Sequence, residues 1–380
     1  MKDDLIYLDY NATTPVLPEV VTAMIPYWSE IYGNPSSSHQ PGRMAREALD
    51  KARAEVAALL GVTPDWVIFT GGATEANNLA LLGAARAQPA GKRHLIVSAI
   101  EHPAIIEPAK ALQREGWELS IAPVDRYGVV CMDEFERLLR PDTALVSIMY
   151  ANNEIGTIQP LSEITRLTKP RGIVLHADAA QSVGKIPTRI DELGVDMLSL
   201  TGHKFYGPKG VGALVRNPAL KLTPVDFGAG HESGLRPGTE NVPLIAGLGT
   251  AARLAKETLE QRRWHMQAIR DRLQDALREA LPGLQVNGHP TQRLPNTLNV
   301  SFPNIDARAM LARLSDSVAA SAGSACHSNG HGTSGVLGAI GASVEQAAGA
   351  IRLSVGIETT AHDIDQAAKR LIAAATHTVR

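Results

Sequence analysis

Two charged residues, Asp178 and Lys204, lie 26 residues apart, and each follows a short apolar segment. A carboxylate and an amine placed in this way reach opposite ends of one ring-shaped cofactor. Pyridoxal phosphate requires this pair, because a lysine holds its aldehyde and an ionised aspartate keeps its ring nitrogen protonated. Each residue alone is more typical of a solvated surface charge, so the prediction depends on the pair.

Asp178 and Lys204 belong to two of five polar clusters, each of which begins where a predicted strand ends. In open α/β sheets, ligands bind outside the carboxyl ends of the strands. The clusters cover 71–75, 101–102, 152–154, 178–181 and 201–204. The first has two glycines before Ala73 and Thr74, which predicts backbone N–H groups and a helix dipole aimed at a phosphate; an ordinary strand-to-helix turn explains it equally well. His102 is placed to stack on the ring, although a single histidine at a strand end is more often structural.

A segment rich in glycine and small residues, 321–332, carries one thiol at Cys326. This composition predicts an exposed and mobile loop, whereas a structural cysteine typically lies in an apolar run. Cys131 has such an apolar setting, and no role is assigned to it. A metal site formed by Cys326, His327 and His331 is the alternative, and the lack of a second cysteine pair in the sequence disfavours it.

The elements that must position these residues alternate along 65–215, where short apolar segments are separated by Ala- and Leu-rich amphipathic ones. This alternation predicts an α/β fold, in which crossover helices join the strands of a mostly parallel sheet. The predicted strands cover 66–70, 95–99, 145–150, 173–177, 197–200 and 212–215. No predicted strand precedes a Gly-x-Gly-x-x-Gly sequence, which disfavours the alternative ligand, a dinucleotide.

A smaller α+β unit is predicted after the glycine-rich loop at 227–238. A long helix over 242–281 leads into it, and strands at 297–302 and 351–355 and helices at 307–314 and 362–375 complete it. Because 380 residues exceed the size at which one core usually stops growing, two domains are expected. We place the large domain at 16–258 and the small domain at 1–15 and 259–380, with the cysteine loop at about 321–335.

The composition restricts the partners. The chain is 44% apolar and 20% charged, as in a globular protein, and its formal net charge of −2 argues against nucleic acid or an anionic membrane as a partner. A small substrate is therefore expected. The sequence has no apolar signal core at its N-terminus, no run long enough for a spanning helix and two cysteines only, which together predict a cytoplasmic location.

Taken in order, the motifs resemble those of the cysteine desulfurases and selenocysteine lyases, in the class V aminotransferase group of fold-type-I pyridoxal-phosphate enzymes. The resemblance covers essentially the whole chain. Its segments are DYNATTP at 9–15, GNPSS at 33–37, GATE at 72–75, EH at 101–102, NNE at 152–154, DAAQ at 178–181, GHKFYGP at 202–208, RPGTEN at 236–241, GSAC at 323–326 and IRLS at 351–354. It implies a mostly parallel seven-stranded sheet in the large domain, a smaller α+β domain and a homodimer.

The resemblance also implies roles for individual residues. Lys204 would bond to the cofactor aldehyde, Asp178 would pair with the ring nitrogen and His102 would stack on the ring. The ring oxygen and phosphate would be held by Ala73, Thr74, Asn153, Gln181, Thr201 and His203, and by Thr239 reaching from one subunit to the phosphate of the other. Arg352 would clamp the substrate carboxylate in a bidentate contact, with Asn34 and Asn11 nearby. Without the motif, Arg352 would be interpreted as a surface ion pair and Asn34 as a turn residue.

The implied reaction removes sulfur from L-cysteine. Lys204 takes the Cα proton, and the Cys326 thiolate attacks the substrate sulfur, which stays on the enzyme as a persulfide while alanine is released. L-selenocysteine is the alternative substrate. Pro103 replaces the aspartate of animal selenocysteine lyases, which disfavours selenium, whereas Cys326-His327-Ser328 is closer to those lyases.

A protein that accepts the sulfur or selenium is also expected. Iron–sulfur cluster assembly, tRNA thiolation and selenium metabolism all remain open as destinations. A relative that binds the cofactor or a partner without turnover, and a plain transaminase, are the alternatives from other classes. The presence of both Lys204 and Cys326 disfavours them.

Overall fold

The computed structural model describes residues 5–323 and 334–376. The strands are β1 Ile6–Tyr7, β2 Val67–Thr70, β3 His94–Ser98, β4 Glu118–Ala122, β5 Thr143–Ser147, β6 Val174–Asp178, β7 Met197–Thr201, β8 Gly212–Arg216, β9 Gln285–Asn287, β10 Thr297–Ser301, β11 Val318–Ala319 and β12 Ala350–Ser354. The helices are α1 Pro18–Met24, α2 Pro26–Ser29, α3 Gln40–Leu60, α4 Ala73–Asn78, α5 Ala84–Arg86, α6 Pro103–Arg114, α7 Met132–Leu138, α8 Leu161–Thr168, α9 Ile190–Leu193, α10 Val242–Ala280, α11 Ala307–Leu314, α12 Gly335–Ala339, α13 Val344–Ala348 and α14 Ala361–Thr376. A π-helical turn, Leu79–Gly83, joins α4 to α5.

Seven strands form the main sheet, in the order β2-β8-β7-β6-β5-β3-β4. Neighbouring strands are parallel except at β8, which runs antiparallel to both β2 and β7. The predicted α/β class and mostly parallel sheet are confirmed, and the six predicted strands overlap six of the seven. The seventh, β4, lies at the sheet edge and places Ile121 in solvent at 45% exposure. An edge strand of this kind lacks the continuous apolar run of a buried parallel strand.

Apolar clusters cover both faces of the main sheet. Successive strand residues point to opposite faces, so that Phe69 and Ile96 pack with α3 and α10 on one side. Ile68 and Leu95 pack on the other side with α6 and with the helix that contains the π turn. Burial on both faces fixes the register of each strand, and with it the position where each strand ends at the site.

A three-stranded antiparallel sheet, in the order β12-β10-β9, lies outside the main sheet. It packs with α11, α14 and the second half of α10 in a separate apolar cluster, in which Leu273 and Leu353 are fully buried. β1 pairs in parallel with β11, which adds the N-terminal segment to this cluster. The predicted domain boundary after residue 258 falls inside α10 and stays a prediction.

Several large apolar side chains lie at the surface near α1 and α2 and on the loop after β8. Ile25 is 55% exposed, Trp28 61%, Tyr32 76% and Phe227 84%. Scattered apolar residues are normal on protein surfaces, whereas large apolar side chains that form one exposed patch are typical of an interface. No helix in the described part of the chain is long and apolar enough to cross a membrane.

Candidate active site

A cavity of about 770 Å³ opens at the carboxyl ends of the strands of the main sheet. Its wall is formed by the segments that follow β2, β3, β5, β6 and β7, by the N-terminal segment and by β12. The predicted site residues that line it are Asn11, Ala73, Thr74, His102, Asn153, Asp178, Gln181, Thr201, His203, Lys204 and Arg352. The fold therefore gathers residues from both ends of the chain at the place where an open α/β sheet binds its ligand.

Asp178 is the last residue of β6 and is 6% exposed. Its Oδ2 accepts a hydrogen bond of 2.8 Å from Asn77 Nδ2, and its Oδ1 accepts one of 2.9 Å from the backbone N–H of Ala180. These contacts fix the orientation of both carboxyl oxygens. Because a buried carboxylate is stable only with hydrogen-bond or cationic partners, this position suits the protonated ring nitrogen of a cofactor.

His102 precedes α6 and caps it, since its Nδ1 accepts a hydrogen bond of 3.1 Å from the backbone N–H of Ala104. An Nδ1 that accepts carries no proton, so the neutral ring has its proton on Nε2. Burial lowers the pKa of His102; the nearby charge of Asp178 raises this pKa and that of Lys204 lowers it. The imidazole is therefore uncharged at neutral pH and suited to stacking on an aromatic ring.

The neighbouring residue, Glu101, is a second buried carboxyl group. Its Oε1 accepts hydrogen bonds from Ser98 Oγ at 2.5 Å and from the backbone N–H of Met149 at 2.8 Å. Its Oε2 has no partner within the described residues. Burial raises the pKa of Glu101 to about 8. At neutral pH this carboxyl group is therefore protonated and adds no negative charge near Asp178.

Lys204 ends a short 3₁₀ turn that follows β7. Its Nζ donates to the backbone carbonyls of Asn11 at 2.6 Å and Ala12 at 2.8 Å. Two residues later, Tyr206 has a φ of +72°, in the left-handed region, and its N–H donates to Thr14 Oγ1 at 2.8 Å. Such backbone strain persists where the surroundings impose it. The N-terminal segment therefore holds both the Lys204 amine and the turn that carries it.

The turn between β2 and α4 is suited to an anion. No side chain caps α4 after Gly72, so its first N–H groups are open to a ligand. Gly212 packs against this turn, and a Cβ there would lie 2.9 Å from the Gly72 backbone. Thr201 and His203 lie on the same cavity wall. Burial and the nearby lysines lower the pKa of His203 to about 4, so its ring is neutral and can donate one hydrogen bond without a charge.

Arg352, on β12, is 4% exposed. Its Nη2 donates to Asp9 Oδ1 at 2.7 Å and to Ser321 Oγ at 3.1 Å, and its Nη1 donates to the Asn153 carbonyl at 3.2 Å. Its Nε is buried and has no hydrogen-bond partner in the part of the chain that the structure describes. Leaving such a donor unpaired costs free energy, and a carboxylate that enters the cavity would satisfy it.

Two of the predicted site residues, Asn34 and Thr239, do not line this cavity, and a third, Cys326, lies outside the described residues. Asn34 is exposed, and its Oδ1 accepts a hydrogen bond of 2.9 Å from the backbone N–H of Ser36, which makes it a turn residue within this chain. Thr239 is exposed on the loop before α10. Cys326 lies outside the described residues, as do His327 and His331 of the alternative metal site. Their predicted roles stay predictions.

Two residues that support the site were missed in the sequence. Asn77, which donates a hydrogen bond to Asp178, lies four residues after Ala73. Its place one helical turn beyond the glycines could have indicated that it faces the site. Lys185 is 3% exposed and donates to Asn11 and Gln181. A lysine in a turn segment carries no sequence signal of burial, because most lysines in such segments are solvated.

The groups of the cavity fit pyridoxal phosphate. The oriented carboxyl group of Asp178 would suit the ring nitrogen, the open N–H groups of α4 would suit the phosphate, and the Lys204 amine would suit the aldehyde. The volume is large enough for the cofactor and an amino acid. The fold and the site together define the class: the protein is a pyridoxal-phosphate-dependent α/β enzyme.

Comparison with known proteins specifies the family. Residues 6–367 match the family "Aminotransferase class-V", and the chain belongs to this family. It is 44% identical over 361 residues to "Cysteine desulfurase IscS" of Dictyoglomus turgidum, covering 95% of this chain and 92% of that protein. The solved structure "NIFS-LIKE PROTEIN" is 40% identical with a TM-score of 0.91, covering 97% of this chain and 98% of that one. "SspA in complex with cysteine" is 34% identical with a TM-score of 0.81, at 93% and 99% coverage. The predicted family is confirmed.

Proposed function

We propose that this protein is a pyridoxal-phosphate-dependent cysteine desulfurase, which converts L-cysteine to L-alanine and passes the sulfur to its own Cys326. The observation that carries the proposal is that Asp178, His102, Lys204 and Arg352 line the same cavity. The relatives named cysteine desulfurase, at 40% to 44% identity over nearly the whole chain, support it. So does the similar structure whose title records a complex with cysteine.

The cofactor would be held at both ends by residues that the chain fixes in advance. Asp178 would pair with the ring nitrogen, and the N–H groups at the start of α4, with Thr74, Thr201 and His203, would hold the phosphate. His102 would stack on the ring, while Asn153 and Gln181 would contact its oxygen. When bound, the cofactor withdraws electrons from the amino acid attached to it, which acidifies the Cα–H bond.

Arg352 is the residue that would bind the substrate carboxylate. Its Nη groups are held by Asp9, Ser321 and Asn153, so the guanidinium is fixed before substrate arrives and its unpaired Nε remains to donate. Fixing the donor in advance reduces the entropy that substrate binding would otherwise lose. Asn34 is the second predicted contact.

Lys204 would move the proton. As a free amine, its Nζ donates to the carbonyls of Asn11 and Ala12, which hold it within the cavity. As a free amine it accepts the Cα proton. Its two carbonyl partners accept hydrogen bonds only, so they keep the amine in place without competing for that proton.

The sulfur would leave in a displacement reaction in which atoms and electrons balance. The Cys326 thiolate forms an S–S bond to the substrate sulfur, the C–S bond breaks, and its electron pair passes to the carbon side, which is protonated to give alanine. Cysteine and one thiol thus yield alanine and one persulfide, with no external oxidant. The persulfide then needs an acceptor, and an iron–sulfur cluster assembly protein is the destination that the IscS names favour.

The active unit would be a homodimer. Ile25, Trp28, Tyr32 and Phe227 are exposed apolar side chains that a second subunit would cover. Thr239 is exposed and lies outside its own cavity, in keeping with a role at the partner's phosphate. The molecular mass in solution tests this: a mass of one chain at micromolar concentration contradicts it. The cytoplasmic location is likewise a proposal.

Substrate identity separates the two main hypotheses. Alanine release from L-cysteine and from L-selenocysteine, measured side by side under reductant with the same enzyme, gives kcat/KM for each. Turnover of L-cysteine supports the desulfurase. Turnover restricted to L-selenocysteine would make the protein a selenocysteine lyase, and turnover of neither with the cofactor bound would favour a non-catalytic relative.

A further inference from the structure

Lys185 is a buried lysine that none of the predicted roles uses. It is 3% exposed, and it forms no ion pair with any carboxylate of the described residues. Its Nζ donates to Gln181 Oε1 at 2.7 Å and to Asn11 Oδ1 at 3.0 Å. Burial lowers its pKa, and the nearby charges of Lys204 and Arg352 lower this pKa further. Burying an amine costs free energy, so a buried lysine beside the site requires an explanation.

The three residues Lys185, Gln181 and Asn11 form a closed polar triangle. Its third side is the hydrogen bond of 3.0 Å from Gln181 Nε2 to the Asn11 backbone carbonyl. The Asn11 carbonyl can only accept, so it holds the NH₂ of Gln181 on its own side, and Lys185 Nζ donates to Oε1 on the other side of the amide. One hydrogen of that NH₂ is used by Asn11, which leaves the other for a ligand in the cavity that Gln181 lines.

The Asn11 corner of the triangle is fixed completely. Its Oδ1 accepts from Lys185 and from Asn296 Nδ2 at 2.9 Å, and its Nδ2 donates to Thr297 Oγ1 at 2.8 Å and to the Asn153 carbonyl at 3.1 Å. This side chain has no donor or acceptor left for substrate, and its backbone groups are bonded to Ser354, Gln181 and Lys204, so its predicted substrate contact stays a prediction. The Asn11 backbone carbonyl is the one that accepts from Lys204 Nζ at 2.6 Å.

We propose that Lys185 is a positioning residue of the active site, which orients the Gln181 amide as a hydrogen-bond donor toward the cofactor and holds the Asn11 carbonyl against Lys204. The inference rests on the proposed function, because it assigns the spare Gln181 hydrogen to the ring oxygen of pyridoxal phosphate. A donor is the complement that a negatively charged ring oxygen requires. Lys185 itself acts only through its two neighbours.

The test uses Lys185→Met, which keeps the length of the side chain and removes its donors. Two readouts are taken: the Kd of the apoprotein for pyridoxal phosphate, and the pH midpoint of the visible absorption of the loaded protein. Losing hydrogen bonds of this kind is expected to raise Kd on the order of tenfold. The pH midpoint of the visible absorption is also expected to shift, since the ring oxygen loses its hydrogen-bond donor.

Arg270→Met is the matched control. Arg270 is also a buried cation, 5% exposed, which donates to the Leu294 carbonyl and pairs with Asp271 away from the cavity. The Arg270→Met substitution is expected to lower the Tm of the protein. It should leave the Kd for pyridoxal phosphate and the pH midpoint of the visible absorption at their wild-type values. Lys185→Gln, with two donors on a shorter chain, is expected to fall between wild type and Lys185→Met, and it decides the question if Lys185→Met does not fold.

A double-mutant cycle with Gln181→Met tests the route of the effect. If Lys185 acts through Gln181, adding Lys185→Met to Gln181→Met raises Kd by less than Lys185→Met does alone, and only the part of the effect that passes through Asn11 remains. Two results would overturn the inference. One is a wild-type Kd and a wild-type pH midpoint of the visible absorption in the Lys185 variants. The other is a rise in Kd in the double variant that equals the product of the rises in the two single variants. Failure of the wild-type apoprotein to bind pyridoxal phosphate would instead overturn the proposed function.

Discussion

Replacing Arg352 with lysine should weaken cysteine binding without removing the cofactor. The guanidinium is held by three described groups, on Asp9, Ser321 and Asn153, and its Nε is unpaired. Lysine keeps the charge but has one nitrogen, so it cannot hold Asp9 and also present a forked donor to a carboxylate. Losing one hydrogen bond to a charged group costs about 1.5–3 kcal/mol, which corresponds to an increase of roughly 10- to 150-fold in KM.

The assay is steady-state alanine formation from L-cysteine, with the visible absorption of the cofactor recorded on the same samples. KM should rise far more than kcat changes, because the contact with the carboxylate is made before and during the reaction alike. Arg293→Lys is the matched control: its side chain is also 4% exposed, it bonds to Gln274, and it does not line the cavity. An unchanged KM in Arg352→Lys with the cofactor retained, or an equal rise in Arg293→Lys, would refute the assignment.

Two further predictions concern stability and the phosphate turn. Because burial raises the pKa of Glu101 to about 8 from an ordinary value of 4.5, the folded state binds more protons than the unfolded state between these values, and stability should fall as pH rises through that range. Glu101→Gln should flatten this part of the Tm-against-pH curve, and an unchanged slope would contradict the protonated carboxyl. Gly212→Ala should lower Tm and raise the Kd for pyridoxal phosphate, because its Cβ would lie 2.4 Å from the Leu200 carbonyl oxygen and 2.9 Å from the Gly72 backbone. Wild-type Tm and Kd in that variant would show that the turn tolerates displacement.

Most elements buried on both faces were predictable from the sequence, because apolar and β-branched residues predominate in them between flanking turn residues. Met197–Thr201 and Thr297–Ser301 are fully buried strands of this kind, and Ala307–Leu314 was predicted at its observed bounds. The reversed direction of Gly212–Arg216 was not predictable, since an apolar run does not encode the sense of a strand. Glu118–Ala122 was missed because its side chains are mostly exposed or half-buried.

The site residues that could be predicted are likewise those whose position follows from the local sequence. Asp178 and Lys204 were predicted from residue type and position, because both follow strands whose ends meet at one edge of the sheet. Arg352 came only from the family resemblance, since its approach to the cavity depends on how the second sheet packs. Lys185 was missed because burial of a lysine is decided by residues that are distant in sequence, such as Asn11.

The central claim is that Cys326 receives the sulfur of cysteine. The most direct measurement is mass spectrometry of the protein after incubation with L-cysteine without reductant, with alanine quantified in the same sample, for wild type and Cys326→Ala. We predict one added sulfur on the peptide that contains Cys326 and one alanine per sulfur in the wild type, and neither in Cys326→Ala, which should keep its visible absorption. Undiminished alanine release by Cys326→Ala would contradict the account.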